Sequence, residues 1–466
     1  MASRLIQLPK QRRSLLGVGT AILLLFLPLP FAAVVPWAQT AFQVSVAALA
    51  VLAAVMLNNV VELRNALIPA GALLLTAVVA VVQVAPLTGA ACHVLAPGQT
   101  TLEESAHLLE NGTAAGPVHA SLAPGATVRA TLTWTSVALL LLCAAVAGRD
   151  RRGRRLITIG LVAAAAFQVV FGARNLGHDT IWGVPVPGST SRLRGTFVNA
   201  DHLALFLGIV LPVVAAWAWV AWRHAFDEPA IERRIVSVGI PVALWLFLFV
   251  GLAFTGSRAG LLAALAAAGV QGLLLARQSG RLRVSPVGIL AGVTGLATVA
   301  AIGFQQGFGR WLATSQYDLS WNDRLNAYAA AIGLAPRSPW LGLGLSSFRD
   351  AFSMVSPVLA TRWWHAHNDY LELLLSVGVI GVVLVGAAVV ASARTLLRTQ
   401  SDLLSRSEDR AAALAALGAL TALAIHSCFD FGLSMPANAA AIAVVTGSAL
   451  GASHRGPYRR ARESTQ

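Results

Sequence analysis

Two histidines at the start of an apolar run are the residues of this sequence best placed to do chemistry. His365 and His367 stand in the segment TRWWHAHNDYLELLLSVGVIG, which begins polar and aromatic and becomes apolar within a few residues. An imidazole exchanges a proton near neutral pH, and ionisable groups at the mouth of a membrane helix are costly to keep. We therefore expect a site at this seam, in which one of the two histidines takes a proton from a hydroxyl group.

Arginines occur in the connecting segments that we assign to the same face as the histidines. Arg192 and Arg194 precede one apolar run, Arg258 lies in the short link TGSRAGLLAAL, and Arg324 stands near the start of an amphipathic segment. A guanidinium binds phosphate through two parallel hydrogen bonds and keeps its charge at any physiological pH. These arginines together with a histidine on one membrane face predict a substrate that carries phosphate.

Ordinary structural roles compete with a functional role for several residues near this face. Arg258 could reach a lipid phosphate, and Asn199 could cap the helix that follows it. Trp364 suits either an interfacial belt or the face of a sugar. His426 and Asp430 are four residues apart, so on one helix they would share a face and support the site. The substrate-binding candidates are Arg192, Arg194, Asn199, His365, Asn368, Trp364, His426 and Asp430.

The composition predicts an all-α integral membrane protein. Of the 466 residues, 56% are hydrophobic and 12% are charged, against roughly 25% charged residues in a soluble domain. Apolar runs of about 20 residues recur along the chain, and we interpret the first of them as a retained span rather than a signal peptide. The runs predict about twelve transmembrane helices, at 14–36, 41–57, 66–86, 131–148, 156–172, 202–222, 235–254, 259–276, 285–304, 369–393, 411–431 and 435–452.

The basic residues predict the orientation of these spans. With the N-terminus in the cytoplasm, the cytoplasmic segments hold 24 of the 34 lysines and arginines. This asymmetry follows the positive-inside rule, so we place both termini in the cytoplasm and attribute the net charge of +14 to the loops rather than to nucleic acid. The long connections 87–130, 173–201 and 305–368 then share the external face, where long loops tend to carry function.

The predicted organisation has three parts. An N-terminal bundle of spans one to five, with the external loop 87–130, covers 1–172. A transmembrane core covers 173–453 and carries, between its ninth and tenth helices, the large and partly helical loop 305–368. Residues 454–466 form a basic cytoplasmic tail.

The motifs favour a reaction without a metal ion. The three cysteines have no metal-binding or redox spacing, and the sequence contains no HExxH motif, Gly-rich phosphate loop or serine-hydrolase elbow. Arginines can neutralise a pyrophosphate as it leaves, while a histidine activates an attacking alcohol. We therefore predict glycosyl transfer from a polyprenyl pyrophosphate, with neither metal nor cofactor.

Several of these segments resemble the O-antigen ligase and polymerase superfamily of bacterial envelope proteins. The similar pieces are RLRGTFVNADHLALFL, SRAGLL, PWLGLGLSSF and HAHNDYLELLLSVGVIG, and the resemblance extends from about Arg192 to Pro436. His367 and Gly378 also reproduce the His-x10-Gly pattern of that family. Each motif is short, but their order and their placement on one face make the set specific.

The resemblance implies a role for each matching residue. His367 would be the base, favoured over His365 by its spacing to Gly378 and by its neighbour Asn368. Arg258 and, by its position, Arg324 would hold the pyrophosphate, and the anomeric carbon would be inverted. The donor would be a glycan linked to undecaprenyl pyrophosphate, and the acceptor would be lipid A-core or a growing polysaccharide. The protein would lie in the bacterial inner membrane, with its active site on the periplasmic face.

Other functions stay open at this point. The superfamily includes ligases, O-antigen or exopolysaccharide polymerases and protein O-oligosaccharyltransferases, and the sequence does not distinguish them or identify the glycan. A lipid-linked glycan transporter or flippase would also use arginine and histidine, but should show broken helices and charges at mid-membrane. A non-enzymatic scaffold would keep its function without His367.

Overall fold

Helices form nearly all of the structure. The computed structural model describes residues 2–57, 60–98, 119–186, 188, 190–279, 321–355, 363–402 and 405–453. The helices there are α1 (Ala2–Phe26), α2 (Pro36–Met56), α3 (Arg64–Val84), α4 (Gly89–Leu95), α5 (Pro124–Gly148), α6 (Arg151–Arg174), α7 (Ala200–Ala225), α8 (Ile231–Phe254), α9 (Arg258–Ser279), α10 (Trp321–Ile332), α11 (Phe348–Val355), α12 (Asp369–Ser401), α13 (Ser407–His426) and α14 (Pro436–Ala452). The strands β1 (Thr180–Ile181) and β2 (Val184–Pro185) pair antiparallel in a short hairpin.

The helices confirm a multi-pass all-α membrane protein. Within the described ranges, nine helices are long and apolar enough to cross a membrane, and Ser14–Phe26 and Pro436–Ala452 are shorter apolar helices. Every predicted span except 285–304 coincides with one of these helices. That span and the tail 454–466 lie outside the described residues, so the number of twelve spans and the tail stay predictions.

Two predicted spans end earlier than the apolar pattern indicated. The first, predicted to run to 36, ends at Phe26, because Pro28 and Pro30 follow and Phe31 begins a left-handed stretch with φ of 55°. The eleventh, predicted to run to 431, ends at His426, where the chain turns. The prediction that His426 and Asp430 share a helix face is therefore wrong, because Asp430 lies in the turn after the helix.

The central element of the bundle is α7. Its middle is buried from Leu203 to Val214, with α8 and α13 packed against it. Helix α9 also packs on α13, while α12 packs on α3, α14 on α5 and α1 on α6. Small residues permit the closest of these contacts: a side chain at Gly451 would collide with the backbone of Ala145. The division of the chain at 172 stays a prediction.

Helix α12 is interrupted at Gly378, which has φ of 64° and ψ of −171°. A Cβ atom there would collide with the carbonyl oxygen of Trp340, so glycine is required on both steric and conformational grounds. The backbone groups released by the break bond to the loop before α11. Val379 N donates to Pro339 O at 2.9 Å, and Leu343 N donates to Leu375 O at 2.7 Å. The break is thus filled by protein backbone, as membrane depth requires.

Different side-chain contacts hold the two ends of the bundle. At one end Arg154 Nη2 lies 2.9 Å from Asp409 Oδ1, and Gln278 Nε2 donates to Gln400 O at 2.9 Å. The other end carries the hairpin and α10, and there Thr196 Oγ1 donates to Pro28 O at 2.6 Å. The seam that contains His367 lies at this second end, as the alternation of the spans predicted.

Candidate active site

The start of α12 is fastened to the turn that follows α13. Asn368 caps α12 by accepting a hydrogen bond from Leu371 N at 3.0 Å, and its own amide donates to Cys428 O at 3.2 Å. The backbone N–H of Asp369 donates to Ser427 O at 2.9 Å and to Asp430 O at 3.1 Å. These bonds bring the histidine motif alongside Asp430.

His367 is held in a conformation that non-glycine residues rarely adopt. Its φ is 49°, in the left-handed region, and its carbonyl accepts a hydrogen bond from the hydroxyl of Tyr328 in α10 at 2.9 Å. The imidazole packs edge-on against Trp363, with the ring centroids 5.2 Å apart. Its Nδ1 lies 3.4 Å from Oδ1 of Asp430. Strain of this kind persists where the surroundings fix it and is concentrated at functional sites.

Three histidines surround the ring of Phe431. His365 stacks on its face, with centroids 4.1 Å apart and planes 10° apart. His367 and His202 approach the ring at nearly right angles, with centroid distances of 4.8 and 4.6 Å. Phe431 therefore sets the spacing of the three imidazoles.

Asp430 lies between His367 and His202 and is buried. Its Oδ2 is 3.6 Å from His202 Nε2, and within the described ranges neither atom has a hydrogen-bond partner. Burial raises the pKa of Asp430, but His202, the hydrogen bond from His367 and the nearby His426 outweigh burial and hold that pKa well below its usual range. His202 is anchored in turn through its carbonyl, which accepts from the amide of Asn438 in α14 at 3.1 Å. Asp430 is thus a fixed anion behind His367.

His365 has a carboxylate of its own. Its Nδ1 lies 2.7 Å from Oε1 of Glu372, one turn into α12, and the second oxygen of Glu372 accepts from Ala366 N at 3.2 Å. Burial lowers the pKa of His365, but the charge of Glu372 and the hydrogen bond to it outweigh burial, so the pKa of His365 lies above its ordinary value. The two motif histidines therefore have separate acidic partners.

The two arginines proposed for pyrophosphate reach this end from different helices. Arg324 in α10 donates from Nη1 to Phe429 O at 2.9 Å, in the same turn as Asp430. Arg258 is exposed at the first position of α9. The preceding Ser257 caps that helix through Gly260 N at 3.1 Å and also hydrogen-bonds Asp201, which is electrostatically coupled to Asp430. The start of α9 thus lies against Asp201, at the N-terminal end of α7.

One segment of the chain matches a protein-family model. Residues 241–386 match the model of the O-antigen ligase family. Over this segment the chain is similar to the O-antigen ligase family. The resemblance that the motifs indicated is confirmed, and the matched segment contains Arg258, Arg324, His367, Glu372 and Gly378. None of the curated proteins compared with the chain matches it.

Several of the other candidate residues lie outside the segment that matches the family. Most of them make contacts within the protein. Arg192 pairs with Asp201 at 2.8 Å and donates to Thr255 O at 2.6 Å. Arg194 is buried and donates to Val186 O at 3.2 Å and to His178 O at 3.1 Å. Because both arginines have hydrogen-bond acceptors within the protein, we do not include Arg192 and Arg194 in the proposed mechanism. Their assignment to substrate stays a prediction.

The remaining candidates divide by exposure. Asn199 caps α7 by accepting from Asp201 N at 2.9 Å, as the alternative interpretation of its position expected. Trp364 is exposed and lies beneath the guanidinium of Arg349, whose Cζ is 3.9 Å from the ring centroid. His426 is fully buried, and within the described residues neither of its ring nitrogens has a hydrogen-bond partner. Trp364 is exposed, Asn199 caps a helix and His426 is buried, and the assignment of all three to substrate stays a prediction.

Sequence reasoning missed four residues that shape the site: His202, Tyr328, Glu372 and Phe431. Glu372 carried a usable signal, because a lone acid in an apolar run is expensive unless it has a partner. His202 also stands next to Asp201 at a helix start. Tyr328 and Phe431 had no signal, because their roles depend on which turn meets the histidine motif in space.

The described residues contain no group of three or more histidine, cysteine, aspartate or glutamate side chains that could hold a metal ion. Around His367 the acidic groups instead face imidazoles. The cationic groups at this end, Arg258 and Arg324, are of the type that neutralises phosphate.

Proposed function

We propose that this protein is a membrane glycosyltransferase of the O-antigen ligase or polymerase type. It transfers a glycan from an undecaprenyl-pyrophosphate carrier to a sugar hydroxyl of its acceptor. The family match supports glycosyltransferase activity of this general kind. The observation that carries the mechanism is the approach of His367 Nδ1 to within 3.4 Å of the buried carboxylate of Asp430.

That approach assigns the proton on His367. The Nδ1–H group donates toward Asp430, so the Nε2 atom carries the lone pair and can act as a base. In the transfer, Nε2 takes the proton of the acceptor hydroxyl while the hydroxyl oxygen attacks the anomeric carbon. The bond from that carbon to the phosphate oxygen breaks, and its electron pair leaves with undecaprenyl pyrophosphate. One displacement inverts the anomeric centre, and Asp430 stabilises the imidazolium that forms.

Arg258 and Arg324 are the proposed ligands of the pyrophosphate. Each can present two parallel N–H groups to phosphate oxygens, which supplies charge neutralisation without a divalent cation. The two side chains come from α9 and α10, and Arg324 contacts the turn that holds Asp430. We therefore propose that the reaction needs no metal ion.

The proposed location follows from the distribution of charge. The end of the bundle that carries His367 is external in the orientation with the basic loops inside, which makes it the periplasmic face of a bacterial inner membrane. Donor lipid reaches the site from the outer leaflet, and the acceptor is lipid A-core or a growing polysaccharide.

The interruption of α12 is the one observation that favours a transporter of lipid-linked glycans, since broken helices line transport sites. In this structure the released backbone groups bond to the loop before α11 instead of facing a cavity. Transferase activity is therefore the better-supported proposal.

The test is to delete the gene from its host and restore it as wild type, as His367→Ala or as His224→Ala. His224 contacts Ser407 at the opposite end and is the matched control. We expect His367→Ala to insert at normal levels but to give no transfer, while His224→Ala restores the envelope glycan. Wild-type glycan with His367→Ala would overturn the base assignment. Full-length polymer left on its lipid carrier in the deletion strain identifies a ligase, and single repeat units identify a polymerase.

A further inference from the structure

The pairing of His365 with Glu372 has a different character from the pairing of His367 with Asp430. The His365 contact is 2.7 Å long, a full hydrogen bond, whereas the His367 contact is 3.4 Å long. Glu372 is buried and its second oxygen is occupied by Ala366 N, so the carboxylate cannot turn away. His365 Nδ1 is therefore fixed as the donor to Glu372.

The ring of His365 is also placed as a cation would be. It lies flat on the face of Phe431 at 4.1 Å, the arrangement in which a positive charge is attracted to the negative face of an aromatic ring. The charged groups that face it come from three elements: Glu372 of α12, Asp430 of the turn after α13, and His202 of α7. Two of the three are acids.

The other ring nitrogen of His365, Nε2, is not engaged by Glu372. The side chain is 28% exposed, and within the described residues Nε2 has no hydrogen-bond partner. An imidazole held by a carboxylate on Nδ1 presents an N–H at Nε2 when it is charged. His365 thus offers one free, charge-assisted donor beside the ring of Phe431, which His367 also contacts.

We propose that His365 is a third cationic ligand of the lipid pyrophosphate, and that Glu372 is the positioning residue that keeps it oriented and charged. This inference rests on the proposed transferase function and divides the labour of the two histidines. His367 Nε2 takes the proton of the acceptor hydroxyl. His365 Nε2–H donates a hydrogen bond to the phosphate oxygen that receives the electron pair, and its proton stays on His365.

The role of His365 explains why both histidines of the motif are needed. A base must lose its proton before each turnover, whereas a pyrophosphate ligand must keep its own. Burial alone would favour the neutral form of the His365 imidazole. Glu372 opposes this effect of burial and favours the charged form of His365. Because Glu372 occupies Nδ1, Nε2 is the ring nitrogen that remains for a ligand.

The experiment measures binding of undecaprenyl pyrophosphate, with undecaprenyl alcohol as the uncharged reference, to the full-length protein in nanodiscs between pH 6 and pH 9. The variants are His365→Gln, Glu372→Gln and the control Glu408→Gln, which removes an acid that pairs with Arg151 at the opposite end. Titration of the lipid phosphate is the same for every variant, so the differences between variants report the protein. Far-UV circular dichroism checks that each variant is folded.

We expect His365→Gln to weaken pyrophosphate binding by about tenfold to a hundredfold at pH 6 and to leave alcohol binding unchanged. Glu372→Gln should move the alkaline loss of binding to lower pH, an effect that a merely structural role would not produce. Wild-type affinity and pH dependence in both variants would overturn the inference while leaving the base assignment untouched. If wild-type protein prefers the alcohol or binds neither lipid, the proposed function itself fails.

Discussion

Gln83 of α3 donates a hydrogen bond to the carbonyl oxygen of Ser376, 2.7 Å away, at the point where α12 is interrupted. The same amide also donates to Leu341 O, and its oxygen accepts from Leu345 N at 3.1 Å. One fully buried side chain thus satisfies backbone groups of the interrupted helix and of the loop before α11, where an unpaired group would cost about 1 to 3 kcal/mol. The break holds the first turns of α12, and with them the histidine motif, at a fixed angle.

Gly378→Ala should prevent this arrangement. The added methyl group meets the carbonyl oxygen of Trp340, and the left-handed backbone is unfavourable for alanine. We expect low yield of folded protein and a clearly lower melting temperature in detergent. Gly386→Ala is the control in the same helix, because a Cβ atom there meets nothing within 4 Å. Equal stability of the two variants would contradict the account of the break.

Asp430→Asn should slow the reaction with little effect on donor binding. The amide keeps the size of the side chain but no longer stabilises the imidazolium or selects the tautomer of His367. The expected loss is about a hundredfold to ten-thousandfold in kcat, with KM nearly unchanged. Steady-state transfer by protein in proteoliposomes measures both constants. A rise in KM at constant kcat would instead place Asp430 in substrate binding.

Arg258→Lys should lower activity far more than conservation of charge suggests. A single ammonium cannot reproduce the two parallel hydrogen bonds of a guanidinium on phosphate. We expect at least about a tenfold loss of kcat/KM. Arg129→Lys, an exposed arginine near the same end of α5, is the comparison variant. Near-normal activity of Arg258→Lys would mean that Arg258 contacts only the membrane.

Chelation should leave activity intact. In the proposed mechanism Arg258, Arg324 and His365 supply the positive charge at the leaving group, so transfer in the presence of EDTA should equal that in its absence. A loss of activity that added Mg²⁺ restores would refute a metal-independent mechanism.

The pair of His365 and Glu372 should make stability depend on pH with a definite sign. The pKa of His365 is raised on folding, so the stabilisation is complete below about pH 6.5, the ordinary imidazole value. It is then lost as the pH rises through the raised pKa of the folded protein. The melting temperatures of wild type and Glu372→Gln should therefore differ most on the acidic side and converge above that pKa. A difference that grows toward alkaline pH would contradict the charge assignment.

Periodicity and composition predicted much of the fold. Apolar runs of membrane length located α2, α3, α7 and α8 to within a few residues at their C-terminal ends, because every span must be long enough to cross the bilayer. The amphipathic segment that contains Arg324 forms the helix Trp321–Ile332. Helix ends set by tertiary contacts were not predictable: α13 ends at His426 because the carbonyls of the next turn bond to Asp369.

The candidate site was predicted in part. His367 and Arg258 followed from chemistry and position, and Asp430 was chosen for its spacing from His426, although that spacing proved irrelevant. The pairing of Asp430 with His367 joins two turns that lie far apart in the sequence, and no local pattern encodes it. Phe431 was missed for the same reason, since an aromatic residue beside a turn carries no sign that three imidazoles will surround it.

Asn438 in α14 also bonds two distant parts of the site end, the carbonyl of His202 and that of Gly432. It follows His202 by 236 residues, which a ribosome adds over tens of seconds at about 5 to 20 residues per second. During that interval α7 has been synthesised, but the carbonyl of His202 lacks its hydrogen bond from Asn438. The end of the bundle that contains His367 is therefore complete only when α14, the last of the described helices, has inserted. A nascent chain halted before Pro436 would lack both hydrogen bonds of Asn438, and its candidate site would stay unassembled.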